Sequence, residues 1–206
     1  MEKLKKQIYS GKNIEDAKLK GLVNLNCNEL EVIVREISNT SSLFKGKKVE
    51  VEITKITDLN KFIKDYLINL VKDMGIEANT ELKIINNVPN ITLYSNNNAV
   101  LIGKNGRTID ALTTLTKQRI QKELGSYYNF ILDVGEYKIK QQKNIESLAK
   151  ELAREVSRTQ EPIKMDSMNS YERRLVHEIL SKNKYVYTES FGENPNRYII
   201  IKPREK

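Results

Sequence analysis

The sequence predicts an α+β protein made of three small domains in succession, residues 1–56, 57–137 and 138–206. Three observations lead there. The length of 206 residues exceeds one typical domain and is short for two large ones. Segments with a helical repeat of apolar residues are interspersed with short segments in which every second residue is apolar, the period of a strand. An apolar share of 39% beside 30% charged residues suits modest cores under a well-solvated surface.

In the first domain, "NIEDAKLKGLVNL" places Ile14, Ala17, Leu22 and Leu25 near one helical face, while Gly21 works against the helix. "ELEVIVREI" and "KKVEVEITKI" alternate apolar and charged residues. Val49, Val51 and Ile53 face one way and Glu50, Glu52 and Thr54 the other, as in a sheet covered on one side only. The intervening "SNTSSLFKGK" reads as a loop. Eleven basic against eight acidic residues do not make this domain a strong polyanion binder.

The second domain opens with "TDLNKFIKDYLINLVKDMG". Thr57 or Asp58 is the expected cap, Leu59, Phe62, Ile63, Tyr66, Leu67 and Leu70 keep helical spacing, and Gly75 ends the run. "ELKIINNVPNITLYS" reads as two strands joined near Asn86–Asn90. From Asn96 to Ile120, "NNNAVLIGKNGRTIDALTTLTKQRI" predicts a short helix, a glycine-rich turn and a long helix. "YNFILDVGEY" closes as a strand, so the order is helix, strand, strand, helix, helix, strand.

The third domain begins with an amphipathic helix in "NIESLAKELAREVSRT", with Ile145, Leu148, Ala149, Leu152 and Val156 on one stripe, stopped by Pro162. Asn169-Ser170-Tyr171-Glu172 forms a capping-box variant that opens a second helix reaching about Ser181. "KYVYTESF" and "RYIIIKP" are strands around a "GENPN" turn. Six of the nine arginines fall here, whereas basic and acidic residues nearly balance in the second domain.

The totals exclude several classes. A net charge of +8 favours an anionic partner, without saying where it binds. No apolar run approaches the roughly 20 residues of a membrane span, and the basic N-terminus lacks an apolar leader core, so a cytoplasmic protein is expected. One cysteine, Cys27, and one histidine, His177, leave no disulfide framework and no zinc site of the common kinds. Cys27 reads as an ordinary half-buried thiol. With no Walker-type lysine, metal-ligand cluster or recognisable catalytic dyad, neither catalytic residues, metal nor cofactor are expected, and the chain reads as a non-enzyme.

Two short motifs carry the chemistry. Gly103 and Gly106 permit backbone angles that a β-carbon forbids and let another chain approach closely. The helix restarting at Arg107 points free N–H groups and its positive dipole end at that gap, and Lys104 and Arg107 add charge. Such a turn suits phosphate oxygens, although a Gly-x-x-Gly alone also serves as a tight helix–helix turn. In "SYERRLVHEIL", Arg173 and His177 are four apart. At ~100° per residue Met168, Tyr171, Leu175 and Ile179 cluster on one side and Arg173 and His177 on the other, which places the histidine away from the core.

The glycine turn, joining two helices after two strands and before a third, resembles the K-homology (KH) fold in its type II order, α-β-β-α-α-β. The resemblance implies that the Gly103–Lys104–Asn105–Gly106 loop holds the backbone of about four nucleotides. Arg107 would assist it, and Ile102, Ile109 and the edge of the Ile91–Tyr94 strand would line a groove for bases. Asn105 departs from the more basic loop tips common in that family. Arg-x-x-x-His on the second helix of a small α/β unit resembles the R-three-H domain. This implies single-stranded nucleic-acid contacts by Arg173 and His177, with Arg174 and Arg197 as accessory cations.

The two units in this order, behind "SGKNIEDAKLKGL" and "ELEVIVREI", resemble the bacterial Jag family of SpoIIIJ-associated proteins, also called KhpB or EloR, over essentially the whole chain. The resemblance implies a Jag-N module at 1–56, a KH domain at 57–137 and an R-three-H domain at 138–206. It also implies a single-stranded RNA-binding protein, an RNA chaperone or post-transcriptional regulator linked to cell-wall synthesis, cell elongation and cell shape. Implied partners are a small single-KH protein and, functionally, a membrane insertase; a homodimer is compatible. "SSLFKGKKVEVEI" departs from the family's Phe-Leu-Gly type loop. The residues leave two alternatives open: a single-stranded DNA binder, and a protein-interaction scaffold that uses the KH fold as a docking surface.

Overall fold

A computed structural model describes residues 3–42 and 46–204. Leu43, Phe44 and Lys45, the centre of the unusual "SSLFKGKK" loop, lie outside the described residues. In chain order the elements are β1 (Gln7–Gly11), α1 (Ile14–Leu25), β2 (Val32–Ser42), β3 (Gly46–Lys55), α2 (Ile56–Asp73), β4 (Ala78–Ile85) and β5 (Val88–Ser95). There follow α3 (Asn98–Ile102), α4 (Arg107–Leu124), β6 (Ile131–Val134), α5 (Tyr137–Thr159), β7 (Ile163–Lys164), α6 (Ser170–Leu180), β8 (Val186–Phe191) and β9 (Tyr198–Pro203). The described strands form three sheets, ordered β1-β3-β2, β4-β5-β6 and β7-β9-β8. Two compact units result: residues 1–98 with 109–132, and residues 99–108 with 133–206. No helix among the described residues is long and apolar enough to cross a membrane.

In the first unit β3 runs antiparallel between β1 and β2. Val49, Val51 and Ile53 are buried as the alternation predicts, against Ala17 and Leu25 of α1, but Thr54, expected on the uncovered face, is buried as well at 2% exposure. Gly21, which weakens the helix on propensity alone, is what lets α1 lie this close. A β-carbon there would meet the Ile53 side chain and come within 2.8 Å of the Tyr9 ring. β1 was not expected, because "QIYSG" has little apolar periodicity; its pairing with β3 makes it a strand. The expected loop after Ile37 is largely ladder as well, since pairing continues to Ser42 opposite Gly46.

The predicted cap of α2 moves. β3 runs directly into the helix, Lys55 takes the cap position without a side-chain bond, and Thr57 and Asp58 fall inside the first turn. Asp58 still suits the positive helix end there. Leu59, Phe62, Ile63, Leu67 and Val71 form the buried stripe, with Tyr66 and Leu70 at its margin. β4 and β5 join through Asn86–Asn87, both with positive φ (51° and 61°), the pattern of a two-residue hairpin turn.

In the second unit α5 and α6 cover one face of the sheet β7-β9-β8. The core holds Ile145, Ala149, Ala153 and Val156 from α5, Val176 and Leu180 from α6, and Val186, Ile199 and Ile201 from the strands. Leu148, predicted for the buried stripe, is exposed, and Ala153 takes its place. The small side chain at 153 suits a close contact. β7, two residues long, is too short for any periodicity to reveal.

Candidate nucleic-acid interface

The glycine turn is built from the backbone outward. Gly103 has φ 70° and ψ 179°, a region essentially reserved for glycine. A β-carbon there would run into the Thr108 side chain and its backbone N. Asn105 is left-handed at φ 54° and ψ 33°, and Gly106 follows at φ 78°. Asparagine is one of the few residues with a side chain that adopts this conformation readily. The Gly103 N–H donates to the Ala99 carbonyl at 2.9 Å and closes α3; α4 then starts at Arg107. The first N–H groups of this 18-residue helix therefore lie against the turn. Lys104 and Arg107 are exposed and Gly106 is buried.

Asn105 also explains itself through its side chain. Its Nδ2 donates to the Ser167 carbonyl at 2.8 Å, within the second unit. Arg107 Nη2 donates to the Pro195 carbonyl at 3.4 Å in the same unit. The tip residue that departs from a basic pattern is thus occupied with positioning the turn. Of the two expected groove residues, Ile109 is 3% exposed and belongs to the core, whereas Ile102 is half-buried. Ile91 and Leu93 are buried too, and Tyr94 is the exposed member of that strand edge.

Arg173 and His177 correct the helical-wheel reading. Arg173 is 7% exposed, with Nη1 donating to the Met168 carbonyl at 2.7 Å and Nη2 to the Ser170 hydroxyl at 3.0 Å. His177 is half-buried. Its Nδ1 lies 2.6 Å from Thr188 Oγ1 and its Nε2 3.3 Å from Ser190 Oγ. Tyr171, assigned to the apolar side, is 64% exposed. The reason is that α6 packs against two neighbours, α5 and the sheet, so its buried surface is wider than a single stripe. Glu172 serves the α5 side, accepting from Gln141 Nε2 at 3.1 Å. His177 meets β8. Burial first, and the nearby Arg173 cation second, hold the His177 pKa below its ordinary value. At neutral pH it is therefore an uncharged hydrogen-bonding group.

The accessory arginines separate. Arg174 is exposed and lines an open groove with Glu146, Tyr171 and Glu178. Arg197 is half-buried; its Nε is buried without a hydrogen-bond partner, and its backbone carbonyl accepts from the Met168 N–H at 3.0 Å. The residues that sequence reading missed are those supporting the motif: Met168 and Ser170, which hold Arg173, and Thr188 and Ser190, which hold His177. The last two carry a signal, since hydroxyls at alternate positions of a strand face one side.

A family model of the R-three-H domain matches residues 143–203. The RNA-binding protein KhpB of Clostridium symbiosum is 30% identical over 202 residues, which covers 93% of this chain and 89% of that protein. The RNA-binding protein KhpB of Bacillus subtilis is 29% identical over 198 residues, 93% of this chain and 95% of the relative. The protein of the same name from Lactiplantibacillus plantarum is 34% identical over 141 residues, 68% of this chain and 44% of its own.

Proposed function

This chain belongs to the family of the RNA-binding protein KhpB, the Jag family, and from that premise we propose that it is a non-enzymatic binder of single-stranded RNA. Residues 57–137 act as a type II KH domain and residues 138–206 as the R-three-H domain, behind a Jag-N module at 1–56. The observation that carries the reading is the Gly103–Gly106 turn. It combines two positive-φ glycines, the N-terminus of α4, and the exposed cations Lys104 and Arg107. Phosphate oxygens are the ligand such a cradle fits. The order α2-β4-β5-α3-α4-β6 supports the KH assignment. In the R-three-H domain, Arg173 and His177 position the α6 start and the β8 hydroxyls, and the exposed Arg174 contacts phosphate. A role as an RNA chaperone or post-transcriptional regulator in cell-wall synthesis, elongation and shape belongs to the same proposal. So do the cytoplasmic location, the single-KH partner and the insertase link.

The test is fluorescence polarisation with a degenerate single-stranded RNA pool and the matching DNA pool at two salt concentrations. Lys104→Asp is the informative variant. Asn105 is left intact, because an aspartate there would set a carboxylate against the Ser167 carbonyl. Wild type is expected to bind RNA in a salt-sensitive manner. The variant should bind roughly tenfold more weakly, with a shallower salt dependence, and keep its fold. Unchanged RNA affinity in Lys104→Asp would remove the turn from the site, and equal affinity for the two pools would favour the DNA reading.

A further inference from the structure

The sheet β7-β9-β8 has a second face that takes no part in the site described above. Val186, Ile199 and Ile201 point into the core beneath α5 and α6. The alternate positions point the other way: Tyr187, Glu189 and Phe191 on β8, Tyr198, Ile200 and Lys202 on β9, and Lys164 on β7. Phe191 and Tyr198 are register partners on neighbouring strands. Their ring centroids are 6.4 Å apart and their planes 27° from parallel. Phe191 is 37% exposed and Tyr198 half-buried. A lysine lies over each ring: Lys164 Nζ is 4.1 Å from the Tyr198 centroid, and Lys202 Nζ is 5.0 Å from that of Phe191. Glu189 holds Lys202 at 2.5 Å.

We propose that this face is a base-stacking platform for single-stranded RNA, with successive bases over Tyr198 and Phe191 and flanking phosphates on Lys164 and Lys202. The inference rests on the RNA-binding reading and deepens it. An aromatic ring offers a π-face that any base can stack on, and rings on adjacent strands of an open sheet present two such faces side by side. The cations select the occupant. Aromatic rings alone would suit a protein partner equally well, so the lysines beside them are what decide. Rings overlaid by ammonium groups suit a ligand that is aromatic and anionic at once. Glu189 is the single carboxylate of this set and is paired, so the face carries a net positive charge. Lys164 is exposed on a flexible stem and is the group that swings off Tyr198 to meet a phosphate when a base arrives. Lys202, 5.0 Å from the Phe191 centroid, also has to move off its ring for a base to stack there.

The chain contains no tryptophan, which makes the test direct. In Phe191→Trp the only indole sits on the platform and keeps an aromatic face. Titration of the full chain with the degenerate single-stranded RNA pool should quench its emission by about two-fold or more, at concentrations where polarisation reports binding. The double variant Phe191→Leu/Tyr198→Leu keeps apolar volume and loses both rings. Its affinity should fall roughly 10- to 100-fold while circular dichroism stays unchanged. An RNA-bound Phe191→Trp protein with undiminished emission overturns the platform. So does a folded double-leucine variant that binds like wild type, and in both cases the glycine-turn reading stands. If the double variant does not fold, the tryptophan titration decides alone. If wild type does not bind the pool at all, the RNA-binding reading fails and the platform with it.

Discussion

His177 is the single histidine of the chain, and its surroundings set a measurable pH dependence. Its folded pKa lies below the ordinary value of 6.5, because half-burial and the Arg173 cation oppose protonation. The unfolded chain therefore takes up this proton more readily than the folded one. Stability from this group is complete above about pH 6.5 and declines as the pH falls through that value towards the folded pKa. Thermal unfolding followed between pH 7.5 and 5.5 should show a falling midpoint, and His177→Gln should flatten it. Carboxylates with lowered pKa values, Asp16, Glu50 and Glu81, titrate further towards acid and leave this window clear. Arg173 makes a second residue-scale prediction. Its guanidinium is buried and donates to Met168 and Ser170, so Arg173→Ala should cost about 2 kcal/mol in urea unfolding. A surface phosphate ligand would instead lose RNA affinity with stability intact.

At the scale of elements, the ends of helices decide the geometry. Asn169 accepts from the Glu172 N–H at 3.0 Å, while Glu172 accepts from the Asn169 N–H at 2.9 Å, a reciprocal capping box at the start of α6. Asn169→Ala should lower stability by about 1 kcal/mol, read as a shift of the urea midpoint with unchanged slope. The capping box was legible because its residues are four consecutive letters. The turn before α4 is more demanding. Gly103→Ala would impose a side chain on a glycine-only conformation and push against Thr108, at a cost of roughly 1–3 kcal/mol. A fully stable alanine variant would show that the turn adopts another backbone. The cap of α2 was not legible, because nothing local in "TKITD" reveals that a strand enters the helix without a break.

At the scale of the whole molecule, the chain order and the compact units do not coincide. Residues 99–108 cluster with 133–206, although α4 itself belongs with the first unit from Ile109 onward. The bonds from Asn105 to Ser167 and from Arg107 to Pro195 are the local cause. Native-state hydrogen exchange should therefore show the amides of 103–106 opening together with those of β9, at one free energy. Opening with the body of α4 would contradict the grouping.

What the sequence determined by itself was everything carried by a short repeat or a local motif. The helical spacing from Leu59 to Leu67, the alternation from Val49 to Ile53, the glycine pair and the Asn169 capping box each need only neighbours in the chain. Tertiary structure decided what depends on partners far along it. β1 and the second half of β2 became strands because β3 offered them hydrogen bonds, not because their side chains favour extension. Arg173 and His177 turned inward because α6 is covered on two sides, which a single-stripe wheel cannot represent. Gly21 changed from a helix breaker to a contact that α1 requires. Local backbone preference reaches a few residues, whereas burial is set by whatever the fold brings alongside.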